Sequence, residues 1–146
     1  YSYLLKKTAI GSTVSPTETL TVNGNVGLTK LVGKATTTTI VSGTGLGTGA
    51  ATVVSLTRAT DISGIIGVVT GSTALGTSTV MATVTFSSAY GAIPNIVLTP
   101  ANLAARNLIV GQDVFVSANT STFAINTNTV ALTASSTYSW FYHVIQ

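Results

Sequence analysis

The sequence predicts an all-β chain: an antiparallel β-sandwich over the distal half, preceded by short strands rich in Thr and Gly. Three observations carry this. Extended runs recur at roughly 8–12 residues, each closed by Gly, Pro, Asn or Ser, which is the spacing of sandwich strands. Charged residues are only 6% of the chain, against roughly 25% in an average domain. β-Branched Thr fills much of that space and favours extended backbone. No segment sustains helical spacing beyond about two turns.

Taken in order, residues 1–34 read as a connector or attachment segment. "TLTVNGNVGL" (19–28) predicts a small hairpin around Asn23 and Gly24. Residues 35–78 form a Thr/Gly-rich β region. Within "KATTTTIVSGTGLGTGAATVVSL" (34–56), the glycines of "GTGLGTG" predict a turn between two strands. They do not make a phosphate loop, because the Gly-Lys-Ser/Thr ending and the following helix are missing. "GIIGVVTG" (64–71) is a further strand.

Residues 79–146 are the expected sandwich domain. In "VMATVTFSS" (80–88), Val80, Ala82, Val84 and Phe86 alternate with Met81, Thr83, Thr85 and Ser87, the pattern of a half-buried strand. Pro94 and Pro100 bracket the strand "NIVLT". "ANLAARNLIVG" (101–111) reads as one short helical turn or an irregular loop. "QDVFVSAN", "STFAIN" and "TYSWFYHVI" are strands. The last has Tyr138, Trp140, Tyr142 and Val144 on one face, and Phe141 and Ile145 on the other. A strand apolar on both faces suits the centre of a sandwich, or a sheet packed against another subunit.

The charges are sparse: Lys6, Lys7, Lys30, Lys34, Arg58 and Arg106 against Glu18, Asp61 and Asp113. That is too thin for a nucleic-acid surface, which needs a dense basic stripe. No apolar run approaches the length of a membrane span, and the chain has no cysteine. Few charges leave little repulsion between copies and make open sheet edges a hazard, so a closed oligomer or a larger assembly is expected.

Chemistry is scarce. A single histidine, His143, has no cluster around it, and zinc takes three or four protein ligands. Asp61 and Asp113 make a glycosidase pair only if folding brings them together; otherwise they are turn and edge residues. No nucleophile elbow exists. No catalytic residue, metal or cofactor is expected. Phe86, Pro94, Phe115, Phe123, Trp140 and Tyr142 are the candidate core or interface residues. Aromatic faces beside Asn, Ser and Thr donors also suit neutral sugars, which makes Tyr90, Arg106, Asn107 and His143 the candidate glycan contacts.

The distal stretches "ATVTFSSAYGAIPNIVLTPAN", "VFVSANTSTFAIN" and "YSWFYHVIQ" resemble the β-sandwich domains of tailed-phage fibre and capsid-appendage proteins, which are distantly similar to H-type lectin domains. The matching positions are Phe86, Tyr90, Pro94, Val97, Phe115, Val116, Phe123, Trp140 and Tyr142. The upstream "LTVNGNVG" resembles fibre connector sequence. The resemblance implies a homotrimer on a virion surface, in a tail or capsid fibre, spike or decoration module. Its implied partners are other virion structural proteins and, as an alternative, a host-surface glycan. A non-viral extracellular fibre component fits the composition as well.

Overall fold

The fold is that of a computed structural model, which describes residues 8–10, 20–22, 27, 37–49, 53–73, 76–111, 113–129 and 131–146. The chain divides into two compact units, Tyr1–Val32 and Gly33–Gln146. In the first, β1 (Thr8–Ile10) and β2 (Leu20–Val22) pair in parallel, with Thr8 opposite Leu20. The hairpin turn expected at Asn23 and Gly24 lies outside the described residues.

The second unit is the β-sandwich. Its strands are β3 (Thr39–Ser42), β4 (Val53–Thr57), β5 (Ser63–Val69), β6 (Val80–Thr85), β7 (Asn95–Pro100), β8 (Val114–Ala118), β9 (Thr122–Thr127) and β10 (Thr137–Ile145). One helix, α1 (Leu103–Val110), lies between β7 and β8. Two four-stranded sheets form, ordered β4-β5-β10-β7 and β3-β6-β9-β8. Every pairing within them is antiparallel. The chain stays in one sheet at the β4–β5 and β8–β9 hairpins and changes sheet at its other strand connections.

These crossings overrule the expected boundary between residues 78 and 79. β4 and β5 share a sheet with β10, and β3 pairs with β6. The 35–78 region thus supplies three of the eight strands of the sandwich instead of a separate piece. Its glycines serve that packing. A Cβ on Gly43 would stand 1.8 Å from the Val80 carbonyl oxygen, and one on Gly71 2.4 Å from that of Thr48. Only a bare Cα lets those backbones meet.

The core follows the predicted alternation. Tyr138, Trp140, Tyr142 and Val144 of β10 point inward with Ile66 and Val68 of β5. They meet Ala82, Val84, Phe123 and Ile125 from the other sheet. Phe123 lies 5.3 Å from the Tyr142 ring and 5.8 Å from Phe86. Met81 departs from the pattern: the register shifts between Val80 and Ala82, and Met81 is buried too. A bulge re-aims one side chain in this way. Pro94 is buried and Pro100 ends β7, an edge strand that can spare the missing donor.

The ambiguous 101–111 segment is helical because Asn102 caps it. The Asn102 Oδ1 accepts from the Ala105 backbone N–H, and its Nδ2 donates to the Thr137 carbonyl. A cap of this type stabilises a helix by about 1 kcal/mol, and here it also fixes α1 to β10. Among the described residues no helix is long and apolar enough to cross a membrane.

Candidate functional site

Antiparallel register sorts the outward residues of each sheet into rows. On the β3-β6-β9-β8 sheet, Thr39, Thr85 and Thr122 form one row, and Val41, Thr83, Ala124 and Ser117 the next. Hydroxyls predominate in these rows, and Val41 and Phe115, at opposite edges of the sheet, are the large apolar side chains open on this face. On the β4-β5-β10-β7 sheet, Ile65, Phe141 and Thr99 align, and beside them Ser63, His143 and Val97. Ile145 extends the patch at the strand end. Phe141 is 44% exposed, Val97 47% and Ile145 58%. A cavity of about 220 Å³ beside Phe141 and His143 is also lined by Arg58, Ser63 and Ile65. A sheet face this apolar and this open is what an interaction surface looks like.

The two ends of the sandwich differ. At one, the β4–β5 turn meets the β6–β7 loop around Asp61. Its carboxylate accepts from Thr38 Oγ1 at 2.8 Å, Ser87 N at 2.8 Å, Ser87 Oγ at 2.5 Å and Ser88 N at 3.1 Å. Burial pushes the carboxyl up, but the Ser87, Thr38 and Ser88 hydrogen bonds outweigh it and hold it below the usual value. The Tyr90 hydroxyl donates to the Asp61 carbonyl at 2.5 Å, and the Tyr142 hydroxyl to the Thr60 carbonyl at 2.6 Å. Burial, with the nearby Asp61 charge adding, pushes the Tyr142 hydroxyl up to about 12.

The opposite end holds a cavity of about 320 Å³. One wall is α1, through Ala104, Asn107 and Leu108. The facing wall is the β9–β10 loop, through Ala131, Thr133 and Ser136, with Tyr138 behind it. Buried Thr70 holds that loop: its Oγ1 donates to the Thr133 carbonyl at 2.7 Å and accepts from Ser136 N at 2.9 Å. Thr133 N donates to the Tyr138 hydroxyl oxygen at 2.9 Å. Asp113 completes the lining.

The sequence-predicted residues separate across these places. Phe86, Phe123, Trp140 and Tyr142 are core. The Trp140 ring stacks on Tyr138 at 5.9 Å, and its Nε1 has no acceptor among the described residues. Phe115 is 53% exposed, on the outer face of the β3-β6-β9-β8 sheet, and so is not core within this chain. The four glycan candidates do not converge. Tyr90 is half-buried against Phe86, edge to face at 4.8 Å, at the Asp61 end. Arg106 and Asn107 are exposed on α1 at the other end, and His143 lies on the outer face of β10. Nor do Asp61 and Asp113 pair. β5 leaves the Asp61 end and β8 starts at the Asp113 end, so a strand length of about 15–20 Å separates them. Asp113 was legible only as a turn residue, because α1 itself was ambiguous in the sequence. No family model, curated protein or solved structure matches the chain.

Proposed function

We propose that this chain is a structural module of a virion appendage, a tail or capsid fibre, spike or decoration protein. It acts by packing copies of itself through the outer face of the β4-β5-β10-β7 sheet. The observation that carries this reading is the patch of Phe141, Val97 and Ile145, all open to solvent in a single chain. Burying such side chains contributes roughly 1.5–3 kcal/mol each, and closed symmetry satisfies every copy's patch at once. The scarcity of charge favours the same outcome: among the residues that line the cavity at this face, Arg58 and His143 are the basic groups and none is acidic. Placement on a virion rests on the resemblance of the distal strands to phage appendage domains.

Sedimentation equilibrium of the full chain tests the assembly. A trimer is expected in the wild type, and a monomer with an unchanged far-UV spectrum in Phe141→Asp. A wild-type chain that sediments as a monomer at tens of micromolar would sink the reading. Density for the chain on a particle surface tests the virion placement.

A further inference from the structure

The cavity between α1 and the β9–β10 loop has an unmatched charge at its edge. Asp113 is only 7% exposed. Its backbone is fully used: N–H donates to the Leu108 carbonyl, and the carbonyl accepts from Asn128 N. Its carboxylate lines the cavity, and among the described residues no donor or cation pairs with it. Among the described residues Trp140 Nε1 is the buried side-chain polar atom without a partner, so the Asp113 oxygens keep contact with solvent through the cavity and present an open acceptor there.

Asp113 follows the C-terminus of α1, whose last turn has no basic residue. The C-terminal carbonyls carry partial negative charge and favour a cation nearby. Here the Asn107 and Ile109 carbonyls accept from the Gly111 N–H and the Leu108 carbonyl from the Asp113 N–H. Among the described residues Asp113 is the one charged side chain on the cavity wall. The remaining walls are short and largely apolar: Ala104, Leu108 and Ala131, with the Tyr138 ring.

We propose that this cavity is a binding site for a primary alkylammonium group, the chemistry of a lysine side chain. The ammonium is a compact cation with three donors. It pairs with the Asp113 carboxylate, while its methylene stem lies along Ala104, Leu108 and Ala131. The volume of about 320 Å³ stands at the small end of ligand pockets, roughly 300–1,000 Å³, and suits one side chain. A neutral polyol matches less well, since it leaves the charge uncompensated. The site is independent of the assembly face, which lies on the outside of the other wall of β10.

The test is a titration of the isotope-labelled full chain with n-butylammonium, read from the amide signals of Asn107, Asp113 and Ser136. Saturable shifts are expected at millimolar ligand, with none from n-butanol or glucose at equal concentration. Binding should weaken by about tenfold or more in Asp113→Asn, since a charge-assisted bond is lost. Ala131→Phe, at the exposed rim, keeps the carboxylate and should block binding by bulk; it covers the case in which Asp113→Asn disturbs the loop. A peptide of residues 27–35, with Lys30 and Lys34, separates the sources. If it binds, a lysine of this sequence supplies the ammonium; if only butylammonium binds, it comes from elsewhere. No shift in the wild type, undiminished binding by Asp113→Asn, or preference for glucose would overturn the proposal.

Discussion

Asp61 and Asp113 are two of only three acids in the chain, and they sit at opposite ends of one sandwich in opposite circumstances. The Asp61 carboxylate is saturated by donors from Thr38, Ser87 and Ser88. Asp113 is more deeply buried and faces a cavity. The difference separates two uses of a scarce charge. At the first end it replaces sheet hydrogen bonding, joining the segment before β3, the β4–β5 turn and the β6–β7 loop. At the second it is left for something outside the fold.

The largest way to break this comparison is Asp61→Ala. It strips acceptors from two backbone N–H groups and two hydroxyls at once. Ser87 and Ser88 are exposed, so water recovers part of the loss, and a cost of about 2–3 kcal/mol is expected. Chemical denaturation measures it. The pH dependence has a definite sign. The folded carboxyl titrates below its ordinary value of 3.8, so its contribution is full above that value and is lost as pH falls through the folded one. Asp61→Asn should flatten the acid limb of the stability curve; an unchanged limb would refute the structural role.

How much of this was legible depends on how local the cause is. The two-sided pattern of β10 was readable, because alternation along one strand is a property of neighbours: Tyr138, Trp140, Tyr142 and Val144 are buried, and Phe141 and Ile145 are exposed. The Thr/Gly-rich stretch was readable as ordered strands around a turn, and β3, the 3-10 turn Thr44–Leu46 and β4 follow that order. What could not be read was anything set by a distant partner. Tyr90 looked like a loop aromatic free to stack on a ligand; the Asp61 carbonyl takes its hydroxyl from 29 positions away. Asn102 decided helix over loop through a side chain that also reaches Thr137. The mixing of residues 35–78 into both sheets is a property of topology, which composition does not encode.

A second, smaller test concerns Tyr142, which reinforces the closed end through the Thr60 carbonyl. Tyr142→Phe should cost about 1–1.5 kcal/mol. In alkali the wild type should also lose ground. The folded hydroxyl is raised to about 12 from an ordinary 10.0, so its contribution is complete below the unfolded value and disappears as pH rises through the folded one. Thermal melts between those values should therefore fall in the wild type and fall less in Tyr142→Phe. Equal slopes would mean that Tyr142 ionises as freely folded as unfolded.

The smallest expected effect is the most discriminating. Asp113→Asn exchanges a carboxylate for an amide of nearly the same shape. If the charge were structural, like that of Asp61, the exchange would lower stability by a comparable amount. In the open arrangement the opposite follows. Among the described residues no donor loses its acceptor, and the amide no longer sets a negative charge beside Gly111 at the end of α1. A charge so placed costs about 0.3–1 kcal/mol at a helix terminus, and the helix end is otherwise unchanged because the Leu108 and Asn128 backbone bonds do not involve the side chain. Asp113→Asn should therefore fold as well as the wild type or be more stable by about 0.5 kcal/mol, while losing the affinity for an ammonium. A stability loss on the scale of Asp61→Ala would show that the two ends use their carboxylates alike, and that the cavity is a by-product of packing.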